Sequence, residues 1–175
     1  MLKHILVGVA GTPSLEAKIA TAIDLAKRHE ARISVLSILD IAHLRNVGAV
    51  PLGAAHHAQK MKQNRIEKSH AAAEKAIERF QEACAEAGIP LETLRQEGPP
   101  LDILTQHWRY HDLCLLDVRG WFDCAVLPDP GDSLLQLIAL GVRPLLSVNR
   151  ETTTTDQIEA VAAAVSITAP LFLLV

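Results

Sequence analysis

The sequence predicts an α/β fold, a doubly wound parallel sheet of five strands, and three observations carry that reading. Short apolar, β-branched runs recur along the chain, amphipathic stretches of helical period lie between them, and Gly- or Pro-containing breaks separate the two. The first unit shows all three. Residues 5–9, Ile-Leu-Val-Gly-Val, are too few for a helix and uniformly apolar, as a strand covered on both faces requires. Gly11-Thr12-Pro13 stops the run and Ser14 offers a helix N-cap, with Ala17, Ala20, Ile23 and Ala26 recurring at spacing three. A second buried strand follows at 33–39, which completes a βαβ unit with a right-handed crossover.

Residues 42–63 contain Gly48, Pro51, Gly53 and the pair His56-His57 without a clean period, so a loop running into the first turn of a helix is expected. From Ile66 the pattern sharpens. Ile66, His70, Ala73, Ile77, Phe80, Cys84 and Ala87 mark one helical face, ended by Gly88 and Pro90. Residues 91–96 form a third, weaker strand, Gly98-Pro99-Pro100 breaks the chain, and 101–110 form a short helix. A fourth strand at 113–116 runs into Asp117, a loop with Pro128, Pro130 and Gly131 follows, then a helix over 133–140 and a fifth strand from Pro144 to Val148. In such folds ligands sit beyond the carboxyl ends of the strands, so the loops at 10–14, 40–60 and 117–133 are expected on one rim.

Composition bounds the function. At 175 residues, 49% hydrophobic and 21% charged, the chain supports one domain with a substantial core. A formal charge of -3 and 3% aromatic residues argue against nucleic acid or an anionic membrane as partner. Three cysteines, Cys84, Cys114 and Cys124, form no CxxC pair and fit a reducing compartment, and the apolar opening is too short for a signal peptide. No stretch of about 18 uncharged apolar residues is present, and a cytoplasmic protein is expected.

Three blocks carry a family resemblance. Lys3-His4-Ile5-Leu6-Val7-Gly8-Val9-Ala10-Gly11-Thr12 resembles the K-x-I-L-V-x-V-D-G-S opening of the universal stress protein family. Asp112-Leu113-Cys114-Leu115-Leu116-Asp117-Val118-Arg119-Gly120 is similar to its D-L-[IV]-V-[ML]-G-[ST]-[RH]-G segment, and Arg143-Pro144-Leu145-Leu146-Ser147-Val148 to its closing C-P-V-L-V-V strand. The resemblance covers residues 1–150. With the strand–helix alternation it implies strand order 3-2-1-4-5 and an adenine nucleotide alpha hydrolase-like fold. The Gly-containing insert around 47–55 looks most like the first half of a tandem member.

Many members of that family bind ATP through G-x-x-G, about nine residues, then G-[ST], with an acidic residue ending the first strand. Glycines let the backbone approach ribose and phosphate, and N–H groups at a helix N-terminus hold the anions. Carried onto this chain, the acidic position falls on Ala10 and the glycines on Asp117, Gly120 and Gly131. Asp132 follows where Ser or Thr is expected, unless Ser133 supplies the hydroxyl. Ile38, near the end of the second strand, completes the site positions that the resemblance implies. Asp117 would set a carboxylate against a polyanion, and two like charges about 5 Å apart at an effective dielectric near 20 repel by roughly 3 kcal/mol. The expectation is therefore a degenerate nucleotide site without a cofactor in a non-catalytic stress-response module. The alternative is an ATP- or AMP-binding regulator with at most slow hydrolysis.

Other constellations read as structural. His56-His57 and His70 lack the ligands to complete a metal shell, and Ser14 and Ser133 are explained as helix caps. Trp121-Phe122 are expected to be buried under the 121–132 loop, and no flanking Lys or His activates Cys124. Residues 151–175 leave two readings open, an extra helix and strand or the truncated start of a second repeat. The strand from Pro144 to Val148 is expected at a sheet edge, where a homodimer forms or the tail provides cover; a protein partner is compatible with either.

Overall fold

A computed structural model of the chain describes residues 2–10, 12, 14–45, 55–117, 136, 139, 143–148 and 172–174. Strands β1 (His4–Val9), β2 (Arg32–Leu39), β3 (Leu91–Glu97), β4 (Leu113–Leu116), β5 (Leu145–Ser147) and β6 (Phe172–Leu174) form one sheet of order β3-β2-β1-β4-β5-β6. Every neighbouring pair is parallel. The first five strands keep the expected order 3-2-1-4-5. The direction of winding reverses between β1 and β4, which makes the carboxyl ends of those two strands the switch point.

Helices α1 (Leu15–His29), α2 (Ile41–Arg45), α3 (Ala55–Ala87) and α4 (Pro100–Trp108) connect the strands. Alternation along β1 divides the core. Ile5, Val7 and Val9 join Ile33, Val35, Leu113 and Leu115 in a cluster with α1 and α3. Leu6 and Ala10 join Leu36, Ile38, Cys114 and Leu116 in a second cluster with α4. Both faces of the central strands are therefore buried, which is why they read as continuous apolar runs. Trp108 closes the second cluster, fully buried, with Nε1 donating to the Pro144 carbonyl at 3.3 Å.

Helix ends follow from local chemistry. α1 carries Glu16 in its first turn and Lys27, Arg28 and His29 in its last, both favourable to the helix dipole. It ends at Glu30 in the left-handed region, φ 53, and α3 ends before Gly88, φ 69. α4 begins with Pro100, where the missing N–H costs nothing.

Four expectations are corrected. The strand from Pro144 to Val148 is not at the edge of the sheet, because Phe172, Leu173 and Leu174 pair with Leu145, Leu146 and Ser147 and make β6 the outermost strand. The loop expected over 42–63 contains α2, capped by Asp40 Oδ1 accepting from the His43 N–H at 2.9 Å, and the start of α3 at Ala55. Propensity explains the early start, since Gln59, Lys60, Met61 and Lys62 favour helix without an apolar face. On α3, His70 is exposed, and burial begins only at Ala73. On α1 the buried residues are Lys18, Ile19, Thr21, Ala22, Leu25 and Ala26, with Ala17 and Ile23 packed against the same cluster, whereas Ala20, expected in that row, is exposed. Gln136 and Ala139, within the helix expected over 133–140, are helical.

Candidate functional site

The switch point holds buried polar side chains in an otherwise apolar interior. Thr12, Ser14, Lys18 and Asp117 are each less than a tenth exposed, and Lys18 is fully buried. Asp117 directly follows β4, and extending the β1–β4 register two residues beyond Val7 and Leu115 sets it beside Val9. By the same alternation it projects toward α1. Ser14 precedes the first turn of that helix, and its Oγ donates to Asp117 Oδ2 while lying 2.9 Å from Thr12 Oγ1. Lys18, one turn further on the same helix, donates from Nζ to the Gly8 carbonyl at 3.2 Å.

The N-terminal turn of a helix presents unsatisfied N–H groups and a partial positive charge, an environment suited to an anion. Here the chain's own carboxylate lies against that turn. Ser14 occupies the N-cap position yet makes no side-chain bond to its own helix, because its hydroxyl is turned to Asp117. The expectation of a simple cap is thus corrected: the residue tethers α1 to the end of β4.

Of the positions that the family resemblance implies, the three described ones are divided between the two faces of the sheet. Ala10 and Ile38 are buried together on the α4 side of the sheet, at the ends of β1 and β2. Asp117 is on the opposite face, bonded to Ser14. Gly120, Gly131 and Ser133, like Trp121, Phe122, Cys124 and Asp132, lie outside the described residues. Sequence reasoning missed Lys18. Its signal was available, since Ser14, Lys18, Thr21 and Leu25 follow one helical stripe, but a lysine in such a stripe reads as solvated until the sheet is placed beneath it.

His56 and His57 are exposed, and no group of three His, Cys, Asp or Glu among the described residues is arranged to hold a metal. Burial pushes the Cys84 and Cys114 thiols up, which disfavours their thiolate forms. No helix among the described residues is long and apolar enough to cross a membrane.

Comparison with known proteins places this geometry. The family model described as "Universal stress protein family" matches residues 1–116. The chain belongs to the universal stress protein family. The match ends at Leu116, one residue before Asp117. No curated protein matches the chain. Among solved structures, the fold is similar to universal stress protein UspA from Lactobacillus plantarum, at 19% identity and TM-score 0.58, with 85% of this chain and 98% of that one covered. It is also similar to the universal stress protein from Archaeoglobus fulgidus in complex with dAMP, at 11% identity and TM-score 0.52, with 85% and 98% covered. A third is a universal stress protein in complex with cAMP, at 17% identity and TM-score 0.50, with 86% and 98% covered. At these identities the likeness establishes the adenine nucleotide alpha hydrolase-like fold of the universal stress proteins.

Proposed function

We propose that this universal stress protein is a non-catalytic stress-response module whose nucleotide site is degenerate. One observation carries the reading: the Asp117 carboxylate is held by Ser14 against the N-terminus of α1, at the switch point where a nucleotide's anionic groups would be sought. Ala10 in place of an acidic residue removes an acceptor at the end of β1. The module works without a cofactor, through association with itself or a protein partner, and the buried free thiols Cys84 and Cys114 suit a cytoplasmic site of action.

The dAMP and cAMP complexes of similarly folded proteins favour a second reading, a nucleotide-binding regulator. Two measurements separate them. Mass spectrometry of the denatured purified protein is expected to release no stoichiometric nucleotide. Calorimetry with Mg-ATP or AMP is expected to find nothing tighter than about 100 μM, roughly -5.5 kcal/mol. Micromolar binding overturns the degenerate site. Asp117→Gly combined with Asp132→Ser and Ala10→Asp is expected to raise affinity by removing two carboxylates and restoring the acceptor.

A homodimer through the strand from Pro144 to Val148 carries a condition in this reading, since β6 covers the outer edge of β5. It requires residues 172–174 to leave that edge.

A further inference from the structure

The ends of two helices and the starts of two strands flank a cavity of about 510 Å³ at the end of the sheet away from the switch point. α1 and α3 stop beside it, at Lys27 and Ala87, while Lys3 and Arg32 stand where β1 and β2 begin. Main-chain hydrogen bonds fix the frame. The Arg32 N–H donates to the Lys3 carbonyl at 2.9 Å and the Ile33 N–H to the Pro90 carbonyl at 3.0 Å. The Ala31 and Ile89 N–H groups donate to the Ala26 and Cys84 carbonyls at 3.0 and 2.9 Å, so the helix ends meet part of their own negative charge. Small-molecule sites have volumes of about 300–1,000 Å³, and this cavity falls among them.

The lining reverses the sign of the chain. The whole sequence carries a formal charge of -3, yet among the described lining residues Lys3, Lys27 and Arg32 stand with one carboxylate, Glu30. The three cationic side chains are exposed and make no ion pair or hydrogen bond with another described residue. The nearby Asp112 is already met by the main-chain N–H groups of Lys3 and His4. Lys27 suits the C-terminus of α1. Lys3 and Arg32 have no such reason to be basic, since a sheet has only a small dipole to offset.

We propose that this cavity binds a small phosphorylated anion. Arg32 supplies a planar fork for phosphoryl oxygens, and Lys3 and Lys27 supply point charges. Ala31, Ile89 and Pro90 offer apolar surface to the ligand's carbon skeleton. No Phe, Tyr or Trp is among the described lining residues, so a nucleobase has no aromatic platform and the ligand is a compact phosphate ester. The site is independent of the one at Asp117, which lies beyond the opposite end of β1, a strand about 20 Å long.

Amide NMR of the full chain, titrated with inorganic pyrophosphate at about 50 mM salt to limit screening, tests it. The expected result is saturable binding with a Kd of about 1 mM, with the largest shifts at Ala31, Arg32, Gly88 and Ile89. Lys3→Gln and Arg32→Gln are each expected to weaken binding about fivefold, and Glu30→Gln to tighten it about threefold by removing the like charge. Lys68→Gln removes the same charge from an exposed position roughly 28 Å along α3 from Ala87 and is expected to leave binding unchanged. Circular dichroism of these surface variants confirms that they fold. No saturation up to about 20 mM pyrophosphate overturns the proposal. So does weakening by Lys68→Gln equal to that by Arg32→Gln, or a set of shifts centred on Ser14 and Lys18.

Discussion

Ser14 Oγ donates to the carboxylate of Asp117 across 103 residues of sequence, in a buried contact that ties the start of α1 to the end of β4. It lies where the sheet reverses its winding, between the turn that follows β1 and the end of β4. Removing the donor leaves a buried carboxylate short of a partner. Hydrogen bonds to charged groups contribute about 1.5–3 kcal/mol. Ser14→Gly is therefore expected to cost about 2 kcal/mol in urea unfolding. An ordinary N-cap serine changed to glycine costs only a few tenths of a kcal/mol, and a loss that small would mean that the tether contributes nothing.

The opposite end of the sheet is expected to respond to acid. Asp112 Oδ2 accepts from the Lys3 N–H at 2.7 Å and the His4 N–H at 3.0 Å, and these bonds, led by Lys3, hold its carboxyl below the usual range. That stabilisation is complete above the unfolded value of about 3.9 and is lost as pH falls through the folded value. His111 is shifted down as well, chiefly by burial and further by His4 and His107, against the His107 carbonyl and Glu92. A histidine held neutral in the fold binds its proton more readily when unfolded, so stability also falls as pH drops below about 6.5. Urea midpoints measured from pH 8 to pH 3 should decline in two stages. His111→Gln should flatten the upper stage and Asp112→Asn the lower. An unchanged slope between pH 7 and pH 5 in His111→Gln would refute the assignment.

Cover of the β5 edge is tested by a chain ending at Arg150. Without 172–174, Leu145–Ser147 lose their outer partner and leave an apolar edge open to pairing. At about 500 mM salt, where charge contacts between copies are screened, the shortened chain is expected to associate more than the full chain. Equal sedimentation of the two would show that β6 protects nothing.

The sequence by itself determined the α/β class, the parallel pairing and the strands β1 to β5, because a strand buried on both faces leaves an unbroken apolar run and a βαβ crossover admits one hand. The family was legible in the residues of Lys3–Ala10 and Asp112–Gly120, which resemble its opening and fourth-strand blocks. Local pattern could not separate Ala20 from Ala26, since they resemble each other as residues and differ only in where the sheet lies: Ala26 is in the core and Ala20 is exposed. Only the tertiary structure decided that Lys18 is interior, that Ser14 serves Asp117 instead of its own helix, and that β6 closes the edge of β5. Each of those outcomes depends on a partner 10 to 103 residues away, and periodicity carries information about faces, not about which distant group a face will meet.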